Sequence, residues 1–308
     1  MSRLSTTPDA QQPRRGVTMV ELLVSMLLLS VLGSLLAKVM MSQQRYYQDQ
    51  NSQMNVRREL RTAVSSMPTD LRAISSSGGD LINFSDASIT FRNVLGGSIA
   101  CAKPNSTTLD MPPTNMARNT LTAWYTQPQV GDSVFAFNEG LLRGAEDDTW
   151  TALRITSISQ SAALCPASPY TDAALDVGKM RWRITVTPAI PDSVKIGAGL
   201  RFERSTRYTL ASSASNRWYL SRAEYAGGVW SAAIPIAGPY RGPAADGSGG
   251  LKFAFFDSLG APIGNWANSR SVARVDVLVR ARGDSSSQGS SKVVQDSLTV
   301  RIALRNRQ

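Results

Sequence analysis

An uncharged, strongly apolar run at residues 22–37 is the feature that most constrains how this chain folds. The run lies between Glu21 and Lys38, and Glu21 is the single charged residue of the longer segment 17–37. As an α-helix rising about 1.5 Å per residue, that segment would reach about 31 Å, which is enough to cross the hydrocarbon core of a bilayer. We therefore predict a membrane-spanning helix over residues 17–40.

A short polar segment precedes the apolar run and ends in two arginines. Basic residues before a span favour an orientation with the N-terminus in the cytoplasm and the remainder exported, although Lys38 and Arg45 reduce this charge asymmetry. A secretory signal peptide would carry its small cleavage-site residue after the apolar run, whereas here the small residue, Gly16, comes before it. Cleavage after Gly16 would remove a leader of residues 1–16 and leave the apolar helix on the mature chain.

The residues around Gly16 resemble the class III signal of type IV prepilins and pseudopilins. In that family a basic leader ends in glycine, and an apolar residue, threonine, two apolar residues, glutamate and a long apolar helix follow. Residues 15–24, RGVTMVELLV, have this order, and the one departure is Val17, where the family usually has phenylalanine. The resemblance implies that a prepilin peptidase cuts between Gly16 and Val17 and methylates the new amino group of Val17.

Glu21 has a specific role within this resemblance. An ionised carboxylate inside a hydrocarbon segment is costly, so a partner is expected. The resemblance implies that this partner is the N-terminal ammonium of Val17 on an adjacent subunit, and that the pair neutralises both charges during filament assembly. The alternative is a chance charge near the membrane interface, with a side chain that reaches outward to water.

The helical pattern continues beyond the predicted span. Apolar residues recur every three or four positions, which predicts a helix over residues 41–77 with one face packed on a globular head. These residues are Val56, Leu60, Val64, Met67, Leu71 and Ile74. Pro68 is expected to kink or restart this helix, and Gly78-Gly79 to end it. Packing on a coiled-coil partner helix is the alternative.

Residues 78–308 change in character, with short strand-like runs separated by loops rich in glycine and proline. Trp182, Ile184 and Val186 alternate with polar residues, as in a half-buried strand. Nine strands are predicted, at residues 88–92, 134–137, 153–158, 180–187, 206–210, 217–222, 251–256, 272–280 and 293–304. The expected fold class is α+β, a long N-terminal helix packed on a mostly antiparallel β-sheet head. A division near residues 190–198 and one continuous head are both compatible with the pattern.

Positive charge exceeds negative charge, with 33 Lys and Arg against 23 Asp and Glu and a formal net charge of +10. Many arginines occur singly along the predicted strands, Arg181 and Arg183 among them, which indicates a solvated sheet face. No basic run and no alternation of basic and aromatic residues along the sequence indicates a nucleic-acid surface.

The two cysteines, Cys101 and Cys165, lie in predicted loops. In an exported domain a disulfide between them is expected, and two unpaired thiols are the alternative. The chain contains no histidine, which excludes histidine-based catalysis and imidazole metal sites. No motif links a lysine to a serine nucleophile, and the DGSGG segment at 246–250 carries too little charge for a calcium loop. We therefore expect no enzymatic activity, no cofactor and no metal.

The C-terminal half carries a second resemblance, to PilW-like minor pilins and to the J-type pseudopilin of type II secretion. The segments are RYTL at 207–210, WYLSR at 218–222, LKFAFFD at 251–257, and the strands at 275–282 and 300–306. The resemblance implies a structural minor pilin that is processed by prepilin peptidase and helps to assemble or initiate a type IV pilus. Its partners would be this peptidase, other minor and major pilins, the inner-membrane assembly platform and, before assembly, membrane lipid.

Two other functions are compatible with the sequence. One is a minor pseudopilin of a type II secretion system, with other pseudopilins as its partners. The other, of a different class, is a filament-tip adhesin or DNA-binding module. In each case the expected location is the inner membrane, crossed once, with the head in the periplasm before the chain enters a pilus or pseudopilus filament.

Overall fold

The computed structural model describes residues 16–140, 147–161, 165, 172, 174–244, 246–282 and 295–305. This part of the chain contains one long α-helix, fifteen β-strands and one short 3-10 helix, Trp266–Ser271. Every pairing between these strands is antiparallel. The predicted class is confirmed, since a long N-terminal helix is followed by a mostly antiparallel sheet.

The helix α1 (Met19–Arg72) contains 54 residues, so at about 1.5 Å per residue it is about 80 Å long. Thr18 caps its N-terminus, because the Thr18 side-chain oxygen accepts a hydrogen bond of 3.3 Å from the Glu21 N–H. The second half of α1 buries the predicted apolar face, with one change: Ala63 is fully buried and Val64 only partly.

The structure bears on two expectations about this helix. Pro68 does not restart it as a separate element, because α1 continues through Pro68 while the neighbouring Met67 and Leu71 are fully buried against the sheet. The helix also ends at Arg72 rather than at residue 77. A turn replaces its last predicted residues, since the Asp80 carboxylate accepts the Ser75 N–H at 2.9 Å and Gly79 adopts a φ of +81°.

The head contains all nine predicted strands. They are β2 (Ser88–Ile99), β6 (Ser133–Asn138), β7 (Thr149–Ser161), β8 (Arg181–Thr187), β9 (Gly199–Ser212), β10 (Trp218–Ala226), β13 (Leu251–Phe256), β14 (Arg274–Arg282) and β15 (Gln295–Ala303). Six further strands were not predicted: β1 (Leu81–Phe84), β3 (Ala102–Asn105), β4 (Thr108–Met111), β5 (Ala123–Trp124), β11 (Val229–Trp230) and β12 (Ile234–Tyr240).

The strands form one sheet with β9 at its centre. Along one edge of β9, the strand β2 pairs with nearly the full length of β9, from Ser88↔Thr209 to Ile99↔Gly199. Along the other edge, β6 pairs with the first half of β9 and β10 with the second half. The sheet continues as β10–β12–β14–β13 in one direction and as β6–β7–β8–β4–β3 in the other, and β15 adds to β14.

Two hydrophobic cores lie on this one sheet. The first core joins the buried face of α1 to the sheet, with Phe91, Tyr208 and Phe253 among its large side chains. The second core lies over β4, β6, β7, β8 and the first half of β9, around Phe202 and Ile184. Residues 190–198, where the sequence pattern is compatible with a division of the head, contribute Ile190, Val194 and Ala198 to the second core.

Candidate assembly site on the N-terminal helix

The first half of α1 extends beyond the head. Every residue from 16 to 48 is exposed, including a continuous series of leucines, valines and methionines, of which Leu29 is 69 % exposed. The helix is long and apolar enough to cross a membrane. A soluble monomer rarely exposes an apolar surface of this extent, so lipid or other protein chains must cover it. This half of α1 is therefore a candidate membrane anchor.

Three serines lie within the apolar half, and the sequence pattern did not predict how their hydroxyls are satisfied. Ser25, Ser30 and Ser34 donate their hydroxyl hydrogens to the carbonyl oxygens of Leu22, Leu27 and Val31 at 2.8–2.9 Å. These hydroxyls therefore need no partner from outside the helix. The apolar half can enter hydrocarbon without leaving these polar groups unsatisfied.

Gly16, Val17 and Glu21 come together at the tip of this helix. Gly16 and Val17 precede the first helical residue in exposed, non-helical backbone, and a side chain at Gly16 would meet no described atom within 4 Å. Glu21 lies in the first turn, where a carboxylate interacts favourably with the helix dipole. The structure thus offers an accessible peptide bond for cleavage and an exposed carboxylate close to it. The remainder of the predicted leader, residues 1–15, lies outside the described residues.

The second half of α1 is fastened to the head by two acidic residues as well as by apolar packing. The Glu59 carboxylate accepts the Gly238 N–H at 2.9 Å, and the Tyr240 hydroxyl donates to the Glu59 carbonyl oxygen at 2.9 Å. Closer to the end of the helix, the Tyr208 hydroxyl donates to the Asp70 carboxylate at 2.7 Å. These directional bonds fix the rotation of α1 on the sheet. In the sequence, Glu59 and Asp70 each directly precede a leucine of the predicted apolar face, and this position is a signal for contacts with the head.

Cys101 and Cys165 form a disulfide, and Cys101 directly follows Ala100 of the second core. Cys101 follows β2 and Cys165 follows β7, and both side chains are buried. The cysteines are 64 residues apart, for which the chain-entropy model gives about 4 kcal/mol of stabilisation. The bond links the end of a long central strand to a distant segment of chain.

Two buried ionic clusters lie on opposite faces of β9, where the two cores meet. On one face, Arg201 Nε is 2.6 Å from Glu203 Oε1, and a second nitrogen of Arg201 is 3.6 Å from Asp80. Burial, and secondly the negative charge of Asp80, raise the pKa of Glu203 to about 7. On the other face, Arg204 contacts Asp132 at 2.8 Å and Glu224 at 3.0 Å.

None of these clusters resembles a metal site. Among the described residues there is no group of three or more Asp, Glu, Cys or His side chains that could hold a metal ion. In the DGSGG segment, a hydrogen bond from the Ser248 side chain, and secondly one from the Ser248 N–H at 2.9 Å, hold the pKa of Asp246 below its usual value. That contact is typical of a local turn.

Comparison with known proteins bears on the N-terminal segment. A family model described as the prokaryotic N-terminal methylation motif matches residues 12–37, which include Gly16, Val17, Glu21 and the start of α1. The match supports a type IV pilin-like prepilin N-terminus, and a motif of this kind implies processing by prepilin peptidase and pilin-type partners. No curated protein and no solved structure matches the chain.

Proposed function

We propose that this chain is a minor pilin that is cleaved by prepilin peptidase and then helps to assemble or initiate a type IV pilus. The observation that carries the proposal is the division of one continuous helix into an exposed apolar half and a half fastened to a head. Before assembly, inner-membrane lipid covers the apolar half and the head lies in the periplasm. In the filament, the apolar halves of neighbouring subunits replace the lipid.

Glu21 supplies the electrostatic part of this mechanism. Cleavage after Gly16 creates an ammonium group on Val17, directly before the helix cap at Thr18. When subunits pack, the ammonium of one chain pairs with the Glu21 carboxylate of its neighbour, so neither charge is buried alone. The cap made by Thr18 survives cleavage, because both of its atoms belong to the mature chain.

The size of the head supports a specialised subunit. Residues 78–308 form most of the chain and carry two hydrophobic cores on one sheet. Each copy in a filament must fit its head around the shared bundle of helices, so a bulky head favours few copies per filament over a repeating shaft subunit. The role is structural and needs no catalysis.

A minor pseudopilin of a type II secretion system is the second candidate. The same cleavable N-terminus and exposed helix support it equally, because a pseudopilus is also built from apolar helices. Deletion of the gene distinguishes the two. Loss of surface pili with normal secretion supports the pilin, and loss of secretion with normal pili supports the pseudopilin.

The experiment that tests the proposal is mass spectrometry of this chain recovered from membranes and from sheared filaments. The mature protein should begin at Val17 and carry one methyl group on its amine. Gly16→Val should leave the leader attached and keep the chain out of the filaments. Gly33→Val is the matched control, because Gly33 is also exposed with open space around it but lies within the helix. A chain that starts at Met1 in sheared filaments would contradict the proposal.

A further inference from the structure

The sheet face that points away from α1 carries arginines stacked on aromatic rings. Tyr208 of β9 points toward α1, so its neighbour Arg207 points to the opposite face. The Arg207 guanidinium lies 4.1 Å from the centre of the Trp230 ring, and the Arg154 guanidinium lies 5.9 Å from that of Tyr225. The Tyr225 and Trp230 rings contact each other at 5.4 Å. We call Arg154, Tyr225, Trp230 and Arg207 the arginine–aromatic band.

A second row of stacked groups continues this face along β9. Arg201 lies over the rings of Phe135 and Trp150, at 5.3 and 5.7 Å, and Arg92 lies over Phe135 at 5.3 Å. Trp150 is 48 % exposed, so part of its ring remains open to solvent. From Arg201 to Arg207 the strand extends about 20 Å at roughly 3.3 Å per residue, which makes this an elongated surface.

The two rows differ in their charge. In the second row, Glu203 and Asp80 offset the charge of Arg201, at 2.6 and 3.6 Å. In the band, no carboxylate of the described residues pairs with Arg154 or Arg207, and Arg207 Nε donates only to the Thr90 hydroxyl at 3.2 Å. The band therefore presents two guanidinium groups whose charges are free to pair with an external anion.

The band is held in place by a close backbone contact. Gly131, with a φ of +94°, lies against the turn that joins β10 to β11, and a Cβ there would come within 3.2 Å of the Gly227 nitrogen and 3.7 Å of the Arg154 guanidinium. The Gly227 N–H donates to the Val130 carbonyl oxygen at 2.8 Å. Because the turn is docked, the rings and guanidinium groups need little ordering when a ligand binds.

We propose that the arginine–aromatic band, together with Trp150, binds single-stranded nucleic acid. Arg154 and Arg207 pair with backbone phosphates, while the exposed part of the Trp150 ring stacks with an unpaired base and the guanidinium planes over the half-buried Tyr225 and Trp230 rings offer further stacking surfaces. Flat sheets use aromatic side chains in this way to hold single strands, with basic groups along the backbone path. An acidic peptide without aromatic side chains would pair with the arginines but could not stack on the Trp150 ring.

The test uses the full-length cleaved protein in detergent micelles and a fluorescein-labelled oligothymidine of about 20 nucleotides, a length that covers a typical single-strand site. Fluorescence anisotropy should report binding that weakens as salt is raised. Arg154→Gln and Arg207→Gln should each reduce the slope of log affinity against log salt by about 0.7, the value for one phosphate contact on a single strand. Trp150→Leu should weaken binding about tenfold with little change in that slope.

The control variants separate this surface from general positive charge. Arg58→Gln makes the same charge change on the exposed side of α1 and should leave binding unchanged. Arg154→Lys should keep the salt slope while losing affinity, because it retains the charge without the planar stacking group. An abasic strand or a duplex of equal length should bind more weakly. The proposal is overturned if either binds as tightly as oligothymidine, if Arg58→Gln weakens binding as much as Arg207→Gln, or if no binding occurs at low salt.

Discussion

The Tyr208 hydroxyl donates a 2.7 Å hydrogen bond to the Asp70 carboxylate and so joins the central strand β9 to the last turns of α1. Burial, reinforced by the Asp70 charge, raises the pKa of Tyr208, so the hydroxyl keeps its proton and remains a donor. Together with Glu59, this contact couples the position of the exposed helix to the head. A force or displacement on the helix therefore reaches the sheet through fixed contacts.

Removing this bond should weaken the attachment of the helix. Tyr208→Phe keeps the ring and its stacking on Phe91 but removes the donor, so the free energy of unfolding should fall by about 1–2 kcal/mol. Urea unfolding of the purified chain measures the change. Tyr219→Phe is the control, since its hydroxyl makes no hydrogen bond among the described residues. Equal losses of stability from both variants would show that the Tyr208 hydroxyl does not fasten α1 to the head.

Glu203 should make the stability of the head depend on pH near neutrality. Its pKa is about 7 in the folded head, against an ordinary value of 4.5, so the folded state binds this proton more tightly than the unfolded state. The stabilisation of the folded head by protonated Glu203 is therefore fully present below pH 4.5 and is lost as the pH rises through 7. The free energy of unfolding falls by about 3 kcal/mol in all. The chain has no histidine to obscure the effect.

The corresponding variant is Glu203→Gln, measured by denaturant unfolding from about pH 5 to pH 8, the range around the Glu203 pKa. The wild type should lose stability across this range, and the variant should lose much less. Asp276→Asn is the control. It also removes a partly exposed carboxylate that lies beside an arginine, Arg274, but both of these residues are on β14 rather than on β9. A wild-type head that becomes more stable as pH rises would contradict the assignment.

The disulfide should account for a large share of the stability of the second core. The double variant Cys101→Ser/Cys165→Ser should lose about 4 kcal/mol, and dithiothreitol should destabilise the wild type but not the double variant. Thermal unfolding with and without reductant makes the comparison. Recovery of both cysteines as free thiols from exported protein by non-reducing peptide mapping would exclude the bond.

The sequence predicted the elements that depend on local periodicity. The buried face of α1 follows from three- and four-residue steps, and the alternation in β8 is matched by the burial of Trp182, Ile184 and Val186. The strand β4 was missed because all four of its residues are buried, so it has no alternation to detect. The end of α1 was misplaced because it depends on a contact from Asp80 to Ser75 that no periodicity encodes.

The relationships between strands could not be derived from the sequence. The pairing of β2 with β9 joins residues 100 or more positions apart, and β9 brings the two cores onto one sheet because it pairs with β10 in the first core and with β6 in the second. The arginine–aromatic band takes one residue from each of β7, β9, β10 and β11. Its basic and aromatic side chains alternate across the strands rather than along any one of them, so no pattern along the chain predicts it.

The central claim is that Glu21 pairs with the amine of Val17 on a neighbouring subunit, and incorporation of Glu21→Leu into sheared filaments tests it most directly. Cleavage should remain normal, because Glu21 lies outside the scissile bond, and Ser25→Ala serves as a control one turn away. Without its partner, the buried ammonium should cost several kcal/mol, so incorporation should fall by more than about tenfold while cleaved protein accumulates in the membrane. Cleaved Glu21→Leu that enters filaments as efficiently as the wild type would contradict the account.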